Sequence, residues 1–463
     1  MIEYDVALTN SAQSIFRDLM RDSNQERLTF FFWRESKGVK RITAVIDNEI
    51  PLPNDEELNL NGNVSFKQSY LLRVLANIPE NCGLGLIHNH FTPGWQKMSK
   101  DDITAEREEL APIIYSKTKK PLLGLTIGTD GTISGRFWLK KKQSLYHKVD
   151  VRKIRIVDKD FKCFYNPGLS QTNISNRKRK IATMSVWGDE HQKHIEDFRV
   201  AIVGLGSVGS LVVSALARIG VRKFYLIDFD RIEERNLDRT DGAKKIDSIL
   251  KRKKINVAKR NIKNSATSSD LEISTHFGKL EDDSSLTKIL DCDFIFSCVD
   301  KHYPRYVLNY IAISHLIPVI DGGVLIELSE NLHGPRNISW RTQIIAPSKI
   351  CMDCGNVYDY GKVQDEKYGQ AKDAVYINVD YNNNDGRENV FSFSMNLASL
   401  EVNLFLGYVT SIDNILNYKF NQLYHAIGGV ITLNHSENNC KCNCVIKNSY
   451  TAKALNLKQL VGK

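Results

Sequence analysis

The stretch VAIVGLGSVGSLVVSALARIGVRKFYLIDFD, residues 200–230, decides the fold. An apolar run leads into Gly204, Gly206 and Gly209, spaced G-x-G-x-x-G. The residues that follow set Leu211, Val212, Ala215, Leu216 and Ile219 on one face at helical spacing. KFYLID then reads as a second strand, closed by Asp228. Strand, glycine turn, helix and strand predict a βαβ unit whose backbone amides approach phosphate. Taken alone, the stretch reads as a dinucleotide fingerprint, with Asp228 placed to bind the ribose of NAD.

The residues after it change the ligand. DFDRIEERNLDRTDG brings Asp228, Asp230, Asn236 and Arg239 close together. Lys254 follows inside LKRKKINVAKR, and Asp300 ends the apolar run FIFSCVD. The pyrophosphate of NAD is already balanced by the glycine loop and the helix N-terminus. A guanidinium, an ammonium and a spare carboxylate for Mg2+ suit a triphosphate attacked at its α-phosphorus. The set resembles the ThiF/MoeB/ubiquitin-activating adenylation family. That family combines G-x-G-x-x-G, D-x-D, N-x-x-R, a downstream lysine and a C-[TV]-D strand end. The resemblance covers about residues 183–463 and implies a Rossmann-like, doubly wound, mostly parallel sheet. It implies that Gly204, Gly206, Gly209, Asp228 and Asp230 line an ATP site. It implies that Asn236, Arg239 and Lys254 contact the phosphates, with Arg239 and Lys254 catalytic, and that Asp300 binds Mg2+. Arg179 stands nearest the arginine that this family donates across a homodimer.

A second chemistry is written upstream. GLIHNHFTPGWQKMSKDD sets His88 and His90 on one face at the end of an apolar strand. Ser99 and Asp102 then fall on the first turn of a helix. Two imidazoles and a carboxylate can hold Zn2+ with a position left for water. H-x-H with a downstream S-x-x-D resembles the JAMM motif of the JAB/MPN metalloproteases, which cut after ubiquitin-like proteins. Phe91 stands where that family usually has proline, and the loop from His90 to Ser99 is slightly longer. The resemblance implies that Zn2+ on His88, His90 and Asp102 lowers the pKa of a water. It gives Glu26, just before the strand RLTFFFW, the role of general base, with Glu35 as the rival. Ser99 would help hold the oxyanion.

The cysteines form two groups. Cys351 and Cys354 make C-x-x-C, and Cys440, Cys442 and Cys444 make C-x-C-x-C. Two thiolate pairs brought together give a tetrahedral structural Zn2+ site, such as the adenylation family often carries. Three cysteines compete for the last two places. The segment after the first pair, where ubiquitin-activating members place a thioester cysteine, has none. Either the chemistry stops at the adenylate or the spare member of the second group serves.

With 463 residues, 42% apolar and 25% charged, the chain is long enough for two or three globular domains. The expected parts are an α+β JAB/MPN-like domain over 1–150, a basic linker over 151–182 containing NRKRK, and the adenylation domain over 183–463. In the first part, NSAQSIFRDLMRD predicts a helix starting at Asn10 or Ser11. RITAVID, LLGLTIGTDG and TISGRFWL predict strands. The formal charge of +9 is a mild bias that does not by itself indicate nucleic acid. No apolar run long enough to span a bilayer is present, and no signal peptide is visible, so the expected location is cytoplasmic.

The expected function joins two activities on one tail. Zinc-dependent cleavage would expose the C-terminal glycine of a ubiquitin-like protein, and ATP·Mg2+ would adenylate it. A ubiquitin-conjugating-like protein is a further partner that the resemblance implies. The absence of eukaryotic targeting signals fits a bacterial ubiquitin-like pathway, which family analogy extends to phage defence. Two alternatives stand beside this reading. One is a small-molecule or tRNA adenylating enzyme with a non-catalytic JAB-like recognition domain. The other is a scaffold that binds a ubiquitin-like protein without turnover.

Overall fold

A computed structural model describes residues 2–19, 24–61, 63–141, 145–170, 173–329, 334–369, 389–412, 421–434 and 445–462. The chain divides into two compact units. One comprises Met1–Ser170 with Ser314–Leu316 and Ser449–Leu455. The other comprises Gln171–Ile313, Ile317–Asn448 and Asn456–Lys463.

The first unit is built on β1 (Glu3–Leu8), β2 (Leu28–Lys37), β3 (Arg41–Ile46), β4 (Leu58–Asn61), β5 (Asn63–Phe66), β6 (Gly83–Asn89), β7 (Leu122–Ile127), β8 (Ile133–Lys140), β9 (Tyr146–Asp150), β10 (Lys153–Val157) and β11 (Phe161–Tyr165). Nine of these form one mixed sheet in the order β11-β10-β1-β3-β2-β6-β7-β8-β9, and β4 and β5 pair separately. The helices are α1 (Asn10–Asp18), α2 (Gln68–Ala76), α3 (Lys100–Thr104) and α4 (Ala111–Thr118). β6 is buried along its whole length because helices cover both faces of the sheet. Side chains alternate between those faces. Ile87, with Phe31 and Trp33 of β2, packs with Phe16 of α1. Leu84 and Leu86, with Phe30 and Phe32, pack with Tyr70 and Val74 of α2 and Ile114 of α4. His88 continues the second set by parity, so it points to the face that carries α2 and α4.

α1 starts at Asn10, and the Oγ1 of Thr9 caps it by accepting the amide of Ala12. The strands expected at RLTFFFW, RITAVID, LGLIHNH, LLGLTIGTDG and TISGRFWL are present as β2, β3, β6, β7 and β8. One expectation needs correction. The stretch 151–182 is not a linker throughout: β10 pairs in parallel with β1, and β11 pairs antiparallel with β10. Ile154 and Ile156 are fully buried, and so are Lys153 and Arg155. The ammonium of Lys153 lies over the Tyr165 ring, 5.9 Å from its centroid. The charged heads of Lys153 and Arg155 are buried along with their stems, and the Lys153 ammonium meets an aromatic ring in place of water, so a high basic count did not mean solvent.

The second unit contains α5 (Ile181–Asp197), β12 (Arg199–Val203), α6 (Ser207–Ile219), β13 (Lys223–Ile227), α7 (Lys245–Ile249), α8 (Lys254–Ser265), β14 (Glu272–His276), α9 (Asp283–Ile289), β15 (Phe294–Ser297), α10 (His302–Ser314), β16 (Val319–Leu328), β17 (Pro335–Ile345), α11 (Tyr360–Tyr368), α12 (Phe391–Thr410), β18 (Asn421–His425) and β19 (Val430–Asn434). The sheet order is β14-β13-β12-β15-β16-β17-β18-β19. β14 to β16 in that order are parallel, and the remaining pairings are antiparallel. The result is a mixed α/β sheet with a Rossmann-like parallel part. From β12 the chain order runs outward on one side through β13 and β14, then returns to the other side at β15. That reversal is a topological switch point, where ligands bind outside the carboxyl ends of the strands. Among the described residues, no helix is long and apolar enough to cross a membrane.

Candidate functional site

In the second unit, the glycine loop connects β12 to α6. Gly204 has a φ of +87°, and a Cβ there would lie 2.4 Å from the carbonyl oxygen of Cys298. A Cβ on Gly209 would lie 2.0 Å from the carbonyl oxygen of Gly204. Both positions therefore require glycine, for conformation and for close approach. Gly206, in contrast, faces open space, with no atom within 4 Å of its ideal Cβ. The tight residues shape the turn, and the open one leaves room for a phosphate at the start of α6.

Asp228 braces this loop. Its two carboxylate oxygens accept the amides of Leu205 and Asp230, each at 2.7 Å. Burial pushes the Asp228 pKa up, against the pull of Lys254 and of the two amides. Asp230 is more exposed and accepts a hydrogen bond from Lys254 Nζ at 2.7 Å. Lys254 is the first residue of α8, and its own amide donates to the Asp230 carbonyl at 3.0 Å. Asn236 ends a short 3-10 turn and accepts the Glu233 amide at 3.0 Å through Oδ1. Arg239 lies half-buried just beyond it. Asp300 is exposed and follows β15, the neighbour of β12. Glycine loop, Asp228, Asp230, Lys254 and Asp300 thus belong to the carboxyl ends of β12, β13 and β15. Arg179 is exposed.

In the first unit, the Nε2 atoms of His88 and His90 are 3.0 Å apart. His88 Nε2 lies 3.7 Å from Asp102 Oδ1, and His90 Nε2 lies 3.6 Å from Asp102 Oδ2. Among the described residues, this is the group of His, Cys, Asp and Glu whose donor atoms all lie within 4.8 Å of one another. Four donors at tetrahedral Zn2+ distances are about 3.3 Å apart, so the spacing fits that ion. Burial works against the charge of Asp102. Hydrogen bonding with His88, His90 and Ser99 outweighs it and holds the carboxyl well below the usual range. Ser99 caps α3: its Oγ accepts the Asp102 amide, and Asp102 Oδ2 accepts the Ser99 amide, both at 3.0 Å.

Register separates Glu26 from Glu35. Leu28 pairs with His88 across β2 and β6. The Asn89 side chain accepts the Arg27 amide at 2.6 Å, and the Asn89 amide donates to the Arg27 carbonyl at 3.2 Å. This carries the pairing one step beyond Leu28–His88, and one further step in the same register would bring Glu26 opposite His90. Glu35 pairs with Ala44 on β3 instead. It sits seven residues beyond Leu28, ~23 Å along the strand, with opposite parity.

A buried polar cluster lies one helical turn beyond Asp102, on residues that the motif did not include. Glu106, one turn after Asp102, is buried against Arg136 and Trp138 of β8. Arg136 Nε donates to Glu106 Oε2 at 2.9 Å, and Trp138 Nε1 donates to the same oxygen at 2.6 Å. Arg136 also donates to Thr126 Oγ1 at 2.5 Å, and Thr126 pairs with His88. The helix is π-wound over Ala105–Leu110, a distortion that often marks a functional turn. The signal was a glutamate at helical spacing from Asp102 together with an arginine inside an apolar strand. Breaking this buried pair with Glu106→Gln is expected to cost about 3–5 kcal/mol of stability. It is also expected to weaken zinc retention ~10–100-fold, as changes behind metal ligands do. Urea unfolding and chelator competition measure the two effects; unchanged zinc retention would remove the positioning role.

The amide of Cys354 donates to Cys351 Sγ at 3.5 Å, and that of Gly355 donates to the Cys351 carbonyl at 3.0 Å. One amide thus points at the Cys351 sulfur, and Cys351 is a buried free thiol. Cys354 is disulfide-bonded, so the expected pair of thiolates is not present as such in this structure. Cys440, Cys442 and Cys444 lie outside the described residues, as does most of the segment that follows the first pair.

Known proteins share parts of this chain. It is 28% identical over 178 residues to ubiquitin-like modifier-activating enzyme 5 of Branchiostoma floridae, covering 36% of this chain and 40% of that protein. It is 28% identical over 158 residues to adenylyltransferase and sulfurtransferase MOCS3 of Caenorhabditis briggsae, covering 34% of this chain and 38% of that protein. The chain thus spans about two fifths of the length of these curated relatives. A crystal structure of E. coli MccB with ATP is similar over 59% of this chain and 74% of that chain, at 17% identity and a TM-score of 0.42. Residues 177–444, more than half of the chain, match the ThiF family. That match takes in the glycine loop, the Asp230–Lys254 pair and Asp300, and the chain belongs to the ThiF family.

Proposed function

We propose that this protein adenylates the C-terminal glycine of a ubiquitin-like protein with ATP·Mg2+, and that its first unit is a JAMM-type zinc metalloprotease acting on the same tail. One observation carries the adenylation reading. The open glycine turn, the Lys254 ammonium and the exposed Asp300 carboxylate gather at the carboxyl ends of β12, β13 and β15. Gly204, Gly206 and Gly209 would cradle the phosphates, and Asp228 and Asp230 would face the ribose. Asn236, Arg239 and Lys254 would offset charge as pyrophosphate leaves, with Mg2+ on Asp300. The names of the relatives, one activating a ubiquitin-like modifier and one an adenylyltransferase, favour a carboxylate at the end of a protein as the acceptor.

The donor spacing of His88, His90 and Asp102 and the register of Glu26 support the protease reading. Zn2+ there supplies Lewis acidity toward a carbonyl and a water. Glu26, which that register would bring opposite His90, would take and return the proton, and Ser99 would donate to the developing oxyanion. With the Cys354 disulfide reduced, Cys351 and Cys354, with two of Cys440, Cys442 and Cys444, would hold a structural Zn2+. A homodimer would let the exposed Arg179 reach a neighbouring ATP site. We place the whole in a bacterial ubiquitin-like conjugation pathway. The test is ATP–pyrophosphate exchange by the full chain. Exchange that requires a glycine-ended protein supports the reading; exchange driven instead by a small acid or by tRNA replaces it with a small-molecule adenylating enzyme.

A further inference from the structure

We propose that Arg305 and Arg341 form the seat for the carboxylate of the acyl substrate, an inference that rests on the adenylation reading. Asp321 of β16 is fully buried and shared by both guanidinium groups. Arg341 donates to Asp321 Oδ2 at 2.7 Å, and Arg305 Nε donates to Oδ1 at 3.3 Å. Ser297 Oγ adds a hydrogen bond to Oδ1 at 2.7 Å. Two cations on one carboxylate leave a surplus of one positive charge. Structure alone does not demand that surplus, because one arginine would neutralise Asp321. The arginine side chains are 12% and 29% exposed, against 0% for Asp321, so the surplus faces outward.

The surplus has a shaped space beside it. Arg341 pairs directly with Gly323 across β17 and β16. A Cβ on Gly323 would lie 3.4 Å from an Arg305 nitrogen and 3.7 Å from an Arg341 nitrogen. Glycine therefore leaves a gap that both forks border. Glu401 is the other acid nearby and feels both arginines, but it meets Gly322, on the opposite face of the same strand, and burial there pushes its carboxyl up toward the neutral form. It does not neutralise the gap.

Topology puts the gap at the reacting edge. Asp321 pairs with Ser297 of β15, and the chain continues from Ser297 to Asp300 and then into α10, whose first turn carries Arg305. A carboxylate brought to a triphosphate is repelled by it, and a fixed positive pair lowers that cost. One oxygen held by the forks leaves the other to bond to the α-phosphorus. The bond from that phosphorus to the bridging oxygen breaks, and pyrophosphate leaves with the electron pair. A terminal glycine, with no side chain, suits a seat floored by Gly323.

The test uses the full chain in two assays. In ATP–pyrophosphate exchange, Arg341→Gln is expected to raise KM for a glycine-ended protein ~10–100-fold, the range for losing one charge-assisted hydrogen bond. KM for ATP should not move. Arg341→Lys should recover part of the loss, because it restores charge without the fork. Gly323→Val should reproduce the loss by filling the gap. In calorimetry without ATP, a glycine-ended peptide should bind as the free acid and not as the amide, and Arg341→Gln should erase the difference. Exchange by the wild type with an unchanged substrate KM in both variants overturns the seat and leaves the adenylation reading standing. Acid-selective binding that needs Arg341, without any exchange, sustains the seat and overturns the adenylation reading.

Discussion

Asp300→Ala is expected to reduce ATP–pyrophosphate exchange by ~10³-fold or more, with little change in stability. Asp300 is exposed at the end of β15, beside the strand that leads into the glycine loop. An exposed side chain of this kind rarely contributes more than ~0.5 kcal/mol to folding. Its proposed work is done only when Mg2+ must hold the phosphates while charge builds on pyrophosphate. Removing one preorganised stabiliser from such a site costs ~10²–10³ in rate, and loss of a bound metal adds to that. The same logic gives Lys254→Ala a smaller loss, because Asp230 already shares that ammonium at 2.7 Å. Exchange retained in Asp300→Ala, with a normal unfolding midpoint, would remove Asp300 from the site.

Glu26→Gln is expected to abolish peptide cleavage by ~10²–10⁴-fold, the usual contribution of a positioned general base, while zinc stays bound. His88→Ala should lose both, because it deletes one of three donors from a cluster whose atoms lie within 4.8 Å. Glu35→Gln should leave cleavage intact, since register puts it beside Ala44 and away from the imidazoles. Zinc content and cleavage of an extended ubiquitin-like protein, measured on the same samples, separate the three variants. If Glu35→Gln loses cleavage and Glu26→Gln keeps it, the assignment by register is wrong.

Much of this was legible in the sequence because local spacing carries it. His88 and His90 sit two apart on an apolar strand, and Gly204, Gly206 and Gly209 follow another, so period and turn chemistry suffice. Spacing could not reveal groups assembled across strands. Glu106 and Arg136 meet only because β8 lies two strands from β6. Arg305, Asp321 and Arg341 meet only through the register of β15, β16 and β17. β10 and β11 were hidden for a different reason. Their lysine and arginine suggested solvent, whereas α1 and the neighbouring strands cover that part of the sheet, and Lys153 and Arg155 are buried. The choice between Glu26 and Glu35 also waited for pairing: both flank the same apolar run, and only the sheet register places Glu35 beside Ala44 and away from His88.

The central claim is that two sites on one chain treat the same tail in succession. It is tested most directly by giving the full chain a ubiquitin-like protein extended beyond its C-terminal glycine, with ATP, Mg2+ and Zn2+, and following intact mass and pyrophosphate release together. The account predicts that wild type trims the extension and then releases pyrophosphate. His88→Ala should do neither on the extended protein yet release pyrophosphate on the trimmed one, and Asp300→Ala should trim without release. Pyrophosphate release by His88→Ala from the extended protein, at the wild-type rate, would contradict it.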